Sequence, residues 1–215
     1  QPVQRAPLNQ TFAELTPQQD QVVQAVEAGL PGTPFLLYGV TGSGKTQVYL
    51  VLAQKALQQG KGVLVLVPEI SLTSQLAQRF IHQLGALNVV LWHSHLTPAQ
   101  KVQAWHHIAS GAPIVVIGAR SAIFTPFPNL GLIIIDEAHE GSLKQDHPDP
   151  RYDARTLAEK LAQQTGAQLI MGSATPSVDR FYWAQKNNQV LQLPVRYAQR
   201  PMAAVQLVSM RQAPK

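Results

Sequence analysis

The chain has 215 residues, of which 45% are hydrophobic, and this is enough material for the core of a single α/β domain. It contains no cysteine, which excludes disulfide bonds and thiolate metal sites, and it has neither an apolar stretch of transmembrane length nor anything that resembles a signal peptide. A formal net charge of +5 and an isoelectric point near 9.6 favour a polyanionic partner, although a charge of this size does not demonstrate nucleic-acid binding.

The amino-terminal residues divide into a polar segment and a first helix. Residues 1–14 begin with a glutamine-rich stretch and are predicted to be a linker. Thr16 followed by Pro17 is typical of a helix start, with Thr16 as the N-cap and Pro17 at the first helical position. The sequence therefore predicts a helix over Pro17–Ala28.

A glycine-rich segment follows the apolar run 34–38 and opens a predicted helix over 44–58. Residues 39–46 spell G-V-T-G-S-G-K-T, a P-loop pattern whose backbone N–H groups and helix N-terminus cradle phosphate. Lys45 can reach the β- and γ-phosphates, and the Thr46 hydroxyl is placed to ligate Mg²⁺. The predicted nucleotide-binding residues of this loop are Gly39, Thr41, Gly42, Ser43, Gly44, Lys45 and Thr46.

Strand-like and helix-like segments alternate along the rest of the chain. Further strands are predicted at 62–67, 88–92, 113–117, Leu130–Ile135 and 168–171, and further helices at 71–84, Pro98–Ala109, 153–164 and 177–186. This alternation predicts an α/β fold with a mostly parallel sheet flanked by helices, as in a RecA-like P-loop NTPase lobe. We expect the lobe to occupy residues 15–200 and residues 201–215 to form a connector.

Two adjacent acids end the aliphatic strand Leu130–Ile135, in the sequence Asp136-Glu137-Ala138-His139. In doubly wound sheets ligands collect at the carboxyl ends of the strands, so these acids are expected beside the P-loop. Asp136 can then hold the magnesium shell while Glu137 polarises the attacking water. The alternative is that both are ordinary charges at a helix N-terminus.

A third motif, Gly172-Ser173-Ala174-Thr175-Pro176, follows the strand at 168–171. Ser173 and Thr175 could cap the helix that begins near Ser177. The P-loop, D-E-A-H and S-A-T segments in this order resemble those of superfamily 2 helicases. The resemblance implies that Ser173, Ala174 and Thr175 couple the nucleotide site to movement on nucleic acid, with His139 linking the hydrolytic site to them.

Further segments are similar to those of the bacterial replication-restart helicases, the primosomal protein N-prime family. They are V-P-E-I-S-L-T at 67–73, G-A-R-S-A-I-F-T-P-F at 118–127 and R-Y-D-A-R at 151–155. The resemblance implies an ATP- and Mg²⁺-dependent DNA helicase that moves 3′ to 5′ along single-stranded and forked DNA in the bacterial cytoplasm, associated with the nucleoid. It also implies single-stranded-DNA-binding protein and other primosome proteins as partners, and no membrane.

The same resemblance assigns residues outside the phosphate site. Gln19 falls in a segment similar to the glutamine motif and would read the adenine edge, although a capped helix start explains it equally well. The predicted DNA contacts, which as isolated residues would more often be caps and solvated charges, are Ser71, Thr73, Arg120, Ser121 and Tyr152.

The family resemblance implies parts that these residues do not supply. Helicases of this class use a second lobe with an arginine finger, and the family also carries a cysteine-held zinc module, which this cysteine-free chain lacks. Arg196 and Arg200 are predicted to be surface or interlobe charges, and no zinc site is predicted from the seven histidines. The isolated chain is expected to bind nucleotide with little turnover. Two alternatives remain open: another superfamily 2 motor of branch-migration or restriction type, and a nucleotide-dependent binding module without turnover.

Overall fold

The computed structural model describes residues 14–68 and 75–197. Several predictions fall outside these ranges and stay predictions. They concern the DNA contacts Ser71 and Thr73, the start of the helix at 71–84, Arg200, the connector 201–215 and nearly all of the linker 1–14. In the described residues no helix is both long enough and apolar enough to cross a membrane.

The helices and strands alternate as the sequence predicts. The helices are α1 (Pro17–Ala28), α2 (Lys45–Gln58), α3 (Gln75–Leu84), α4 (Pro98–Ala109), α5 (Ala154–Thr165) and α6 (Val178–Lys186). The strands are β1 (Pro34–Gly39), β2 (Gly62–Leu66), β3 (Val89–Trp92), β4 (Val115–Gly118), β5 (Leu130–Ile135), β6 (Lys144–Gln145), β7 (Tyr152–Asp153), β8 (Gln168–Ser173) and β9 (Val190–Leu193). Single 3-10 turns lie at Ala86–Asn88, Arg120–Phe124 and Gly141–Leu143.

Within residues 14–68 and 75–197, seven strands form one parallel sheet in the order β3-β4-β2-β5-β8-β1-β9. Because every strand runs in the same direction, their carboxyl ends share one edge, which is where ligands bind in doubly wound sheets. Strands β6 and β7 pair antiparallel in a separate two-stranded ribbon. The predicted α/β fold with a mostly parallel sheet flanked by helices is therefore confirmed.

The core lies on both faces of this sheet, which is why its strands are nearly continuous aliphatic runs. In β2 the alternate residues Val63 and Val65 face one apolar layer and Leu64 and Leu66 face the other, and all four are fully buried. The first layer contains side chains of α1, α2 and α3, and the second contains side chains of α4, α5 and α6. A sheet held from both sides fixes the loops at its carboxyl edge, and those loops carry the motifs.

Some predicted boundaries differ from the structure for local physical reasons. Strand β8 continues through Gly172 and Ser173, so these two residues end the strand and do not follow it. The suggested capping roles of Ser173 and Thr175 are wrong, because Ser177 occupies the N-cap position of α6. Strand β9 and the β6–β7 ribbon were not predicted. All three strands are short. Strand β9 pairs with β1, which is distant in sequence, whereas β6 and β7 pair with each other across a short loop.

Candidate functional site

The P-loop joins β1 to α2 in the geometry expected of a phosphate cradle. Gly42 and Gly44 have φ values of 80° and 88°, a conformation that costs glycine little and strains other residues. Gly44 is also the N-cap of α2, so the first turn of that helix presents its N–H groups to the loop. The loop is held by two further backbone bonds, from Val40 N–H to Leu193 O (3.3 Å) and from Tyr197 N–H to Gly42 O (2.9 Å).

Lys45 and Thr46 open α2 on the wall of a cavity of about 730 Å³. The Lys45 ammonium is nearly buried and donates to Gly39 O at 2.8 Å, so it lies over the loop that it is expected to serve. The Ser43 hydroxyl is buried and has no hydrogen-bond partner among the described residues. A buried hydroxyl without a partner, next to glycines of positive φ, is well placed to bond to a phosphate oxygen.

Gln19 contacts the P-loop directly. Its side-chain nitrogen donates to Ser43 O at 3.3 Å, and its side-chain oxygen accepts from Thr16 N–H at 2.9 Å in a capping box. A side chain added at Gly44 would overlap the Gln19 amide, which shows how closely the two segments approach. The helix-capping interpretation of Gln19 is confirmed. Its contact with adenine stays a prediction, and Gln19 does line the cavity.

Asp136 and Glu137 lie across the same cavity from the P-loop, at the end of β5. Burial raises the pKa of Asp136, and the charge of Glu137 raises it further, while Lys45 and the Tyr49 hydroxyl oppose the rise. Two adjacent carboxylates of this kind favour the binding of a cation on this side of the cavity. Glu137 has a φ of 47°, in the left-handed region where a residue other than glycine is strained by about 1–3 kcal/mol.

The D-E-A-H and S-A-T segments touch through His139. Its Nδ1 lies 3.0 Å from Ser173 Oγ and 3.5 Å from Glu137 Oε2, so one ring nitrogen stands between the two motifs. Ser173 is fully buried, and its Oγ also accepts from Thr175 N–H at 3.0 Å. Backbone pairing adds a second link, from Ala138 N–H to Gly172 O at 2.9 Å. The contact that the resemblance implied for His139 is present, and the coupling role of Ser173, Ala174 and Thr175 stays a prediction.

The structure adds residues that the sequence did not point to. Arg196 was predicted to be a surface or interlobe charge, but it lies half-buried on the cavity wall with Nε unpaired among the described residues. Gln75 and Arg79, one turn apart on α3, line the same cavity. Tyr49 of α2 is fully buried and reaches Asp136. No local pattern identifies these residues, because each approaches the site through tertiary packing.

The predicted DNA contacts that the structure describes, Arg120, Ser121 and Tyr152, lie apart from the cavity, at and beside the β6–β7 ribbon. Arg120 begins a 3-10 turn after β4, and its Nη1 donates to Ser142 O (3.2 Å) and Lys144 O (3.4 Å). Burial raises the pKa of Tyr152, and the positive charge of the nearby Arg120 opposes this rise. The Tyr152 ring packs edge-on against Phe124, with the ring centroids 5.0 Å apart.

The structure therefore brings Arg120 and Tyr152 together, and Ser121 is exposed beside them. Their contact with DNA stays a prediction. Arg155 connects this ribbon to the acidic turn, because it pairs with Asp153 at 2.7 Å and donates to Ala138 O at 3.1 Å.

The donor set at the cavity suits magnesium. Thr46 offers a hydroxyl and Asp136 a carboxylate, which are the hard oxygen ligands that Mg²⁺ takes alongside substrate phosphates. The described ranges contain no cluster of three or more His, Asp or Glu side chains that could hold a metal by themselves. Mg²⁺ typically takes one or two protein oxygens together with water molecules and substrate phosphates, and Thr46 and Asp136 fit the protein part of such a set.

Three kinds of comparison agree with the geometry. Residues 16–181 match the family model for DEAD/DEAH box helicases. The chain is 46% identical over 203 residues to the replication restart protein PriA of Synechocystis sp. and 48% identical over 179 residues to PriA of Bacillus subtilis. These alignments cover 92% and 83% of this chain but only 24% and 22% of the relatives, so the chain spans about a quarter of their length.

Solved structures share the fold. RecG bound to a three-way DNA junction superposes with a TM-score of 0.61 at 25% identity, over 86% of this chain and 24% of that one. The helicase domain of Pyrococcus furiosus Hef superposes with a TM-score of 0.60 at 20% identity, over 82% of this chain and 37% of that one, and supports the fold alone. The resemblance to replication-restart helicases that the motifs indicated is confirmed.

Proposed function

The chain belongs to the DEAD/DEAH box helicase family, and from that premise we propose that it is the nucleotide-binding motor lobe of a DNA helicase that acts in replication restart. The observation that carries the proposal is the meeting of three motifs at one edge of the sheet. Lys45 and Thr46 face Asp136 and Glu137 across one cavity, and His139 joins the acidic turn to Ser173.

The residues of this edge divide the work on ATP between them. The P-loop amides and Lys45 bind the β- and γ-phosphates, and Thr46 and Asp136 hold Mg²⁺, which when bound neutralises charge on the phosphates. Glu137 accepts a proton from the attacking water and orients it toward the γ-phosphate. His139 contacts both Glu137 and Ser173, so protonation of Glu137 alters the contacts of His139 and, through them, the position of Ser173 and β8.

The restart function and the DNA partner rest on the relatives. The chain resembles PriA over most of its own length, and one structural neighbour was solved on a three-way DNA junction. Single-stranded and forked DNA are therefore the proposed substrates, with 3′ to 5′ movement in the bacterial cytoplasm. Primosome proteins and single-stranded-DNA-binding protein are the proposed protein partners.

The test is a paired assay of phosphate release and fork unwinding on the full natural protein. Phosphate release should rise when single-stranded DNA is added, and forked DNA should be unwound only in the presence of ATP and Mg²⁺. A nucleotide-dependent binding module would instead bind ATP and DNA without turnover. That result would replace the motor assignment while leaving the nucleotide site intact.

Replacing Lys45 by alanine is expected to weaken the binding of ADP and ATP by about tenfold or more while the fold survives. The reason is that Lys45 is a nearly buried cation over the P-loop, where a phosphate would exchange for its bond to Gly39 O. Calorimetry on the purified chain measures the change. Lys55→Ala is the matched control, because Lys55 lies on the same helix but pairs with Glu27 away from the cavity. Unchanged ADP affinity in Lys45→Ala would contradict the assignment of this loop as a P-loop.

Arg196 is expected to contribute a smaller part of nucleotide affinity. Its Nε is buried on the cavity wall without a protein partner in the described ranges, so a nucleotide oxygen can take that hydrogen bond. Arg196→Ala should weaken ADP binding about threefold, a small effect because the group is half-exposed and partly screened. Arg151→Ala, which removes an exposed arginine paired with Asp149, serves as the control in the same titration. If the two variants bind ADP with equal affinity, Arg196 does not contact the nucleotide and is a surface charge.

A further inference from the structure

Tyr49 is a buried polar side chain that the P-loop mechanism does not use. It lies in the second turn of α2, four residues after Lys45, and is fully buried. Its hydroxyl donates to Oδ1 of Asp136, 87 positions later in the chain, at 3.2 Å. The phenolic hydroxyl is the donor of this bond and the carboxylate oxygen is the acceptor.

The end of β8 is shaped around this hydroxyl. A side chain added at Gly172 would overlap the Tyr49 oxygen, would lie 2.9 Å from Tyr49 Cζ and would reach within 3.6 Å of Asp136 Oδ1. Gly172 has ordinary backbone geometry, so the requirement for glycine here comes from this close approach and not from its φ angle. Three segments that carry motifs therefore meet at one oxygen: the P-loop helix, the acidic strand end, and the strand that leads into Ser173.

An apolar ring would fill this space without the hydroxyl, so packing alone does not explain why the residue is a tyrosine. The hydroxyl occupies one oxygen of the carboxylate and so restrains the rotation of that side chain. In metal sites, partners of this kind orient the ligating group, and removing them typically lowers metal affinity by about 10- to 100-fold.

We propose that Tyr49 is a positioning residue of the nucleotide site, whose hydroxyl holds the Asp136 carboxylate in the orientation that binds magnesium. The proposal rests on the proposed function, because it requires a magnesium–nucleotide complex in this cavity. Tyr49 does not line that cavity and acts only through Asp136.

The experiment measures how strongly magnesium and nucleotide assist each other. The affinity of the purified chain for a non-hydrolysable ATP analogue is determined by calorimetry in excess Mg²⁺ and again in EDTA, and the ratio of the two is the coupling. Tyr49→Phe is expected to lower the coupling about tenfold while the affinity in EDTA stays at the wild-type value. Tyr182→Phe is the matched control, because it removes the same hydroxyl from an exposed side chain of α6.

A second variant reaches the same hydroxyl from the other side. Gly172→Ala would push the Tyr49 oxygen away from Asp136 while leaving the tyrosine in the chain, and it is expected to lower the coupling to a similar extent.

Wild-type coupling in folded Tyr49→Phe overturns the proposal. An affinity for the analogue that falls by the same factor in Mg²⁺ and in EDTA also overturns it, because that pattern indicates damage to the P-loop helix. A wild-type protein whose analogue affinity is the same in Mg²⁺ and in EDTA instead contradicts the magnesium site itself, and with it the proposed function.

Discussion

The isolated chain of 215 residues is expected to bind magnesium–ATP but to hydrolyse it at least about 10³-fold more slowly than a longer polypeptide that also carries a second RecA-like lobe. Binding is expected because Lys45, Thr46, Asp136 and Glu137 all lie on the wall of one cavity in this lobe. Slow hydrolysis is expected because superfamily 2 helicases take an arginine finger from the second lobe, and such a finger contributes about 10³ to 10⁵ in rate in related NTPases.

The charges on the cavity wall explain why closure matters. In the described part of the chain, the cations that line the cavity are Lys45, Arg79 and Arg196, and all of them belong to the lobe that carries the P-loop. Phosphates bound in this cavity would meet these cations from one side, so we expect the charge that develops on the γ-phosphate in the transition state to be stabilised incompletely.

The measurement is phosphate release, with and without single-stranded DNA, on the isolated chain and on the two-lobe polypeptide. Unwinding of forked DNA by the isolated chain should be undetectable, because movement along a strand requires lobes that open and close on it. Fast, DNA-stimulated turnover by the isolated chain would contradict the single-lobe interpretation. It would indicate that a second copy supplies the missing group, or that catalysis is arranged differently from the family.

The sequence predicted most helices and strands because their signals are local. Helix α1 begins where Thr16 and Pro17 place its start, with a capping box completed by Gln19, and α4 begins with the same arrangement at Thr97 and Pro98. Strand β5 was predicted at its observed bounds because a run of aliphatic residues between polar turns has few other structures available.

The elements that were missed are too short to give a local signal. Strand β9 has four residues, is mostly half-buried and, among the described strands, pairs only with β1. Strands β6 and β7 have two residues each and pair with each other, and Arg120 donates to the backbone oxygens of Ser142 just before the ribbon and of Lys144 within it. Periodicity cannot report on segments this short.

The candidate site shows the same division. The P-loop and the D-E-A-H segment were predicted from sequence because each is a contiguous motif that a parallel strand delivers to the same edge. Tyr49, Arg79 and Arg196 were not, because nothing near them in sequence marks their approach to that edge. Gln19 illustrates a mixed case: its capping role could be inferred locally, while its contact with Ser43 O depends on how α1 packs against the loop.

A continuous set of contacts joins the proposed DNA contacts to the nucleotide site. The ribbon that contains Tyr152 is tied by Arg155 to the backbone of the acidic turn, and that turn is tied by His139 to Ser173. Contacts of this kind can transmit a change at Glu137 only if the turn has two arrangements. The left-handed φ of Glu137 is strained, and a second arrangement of the turn could relieve that strain. We therefore expect ATP hydrolysis to change the conformation of the acidic turn at Glu137.

Glu137→Gln is accordingly expected to separate nucleotide binding from hydrolysis. Glutamine keeps the shape and the hydrogen-bonding capacity of the side chain but cannot accept the proton of the attacking water. In the full natural protein ATP should still bind, while DNA-stimulated hydrolysis should fall by at least about 10². The measurement pairs calorimetry with an ATP analogue against steady-state phosphate release.

Glu140→Gln is the matched control for this change. Glu140 belongs to the same turn and lies 3.9 Å from His139 Nε2, but it does not line the cavity, so its substitution should leave hydrolysis near the wild-type rate. If Glu137→Gln hydrolyses ATP as fast as this control, Glu137 is not the base, and Asp136 or another acid must take that role. If instead ATP binding is lost together with hydrolysis, Glu137 contributes to holding the nucleotide, and the division of labour between the two adjacent carboxylates is wrong.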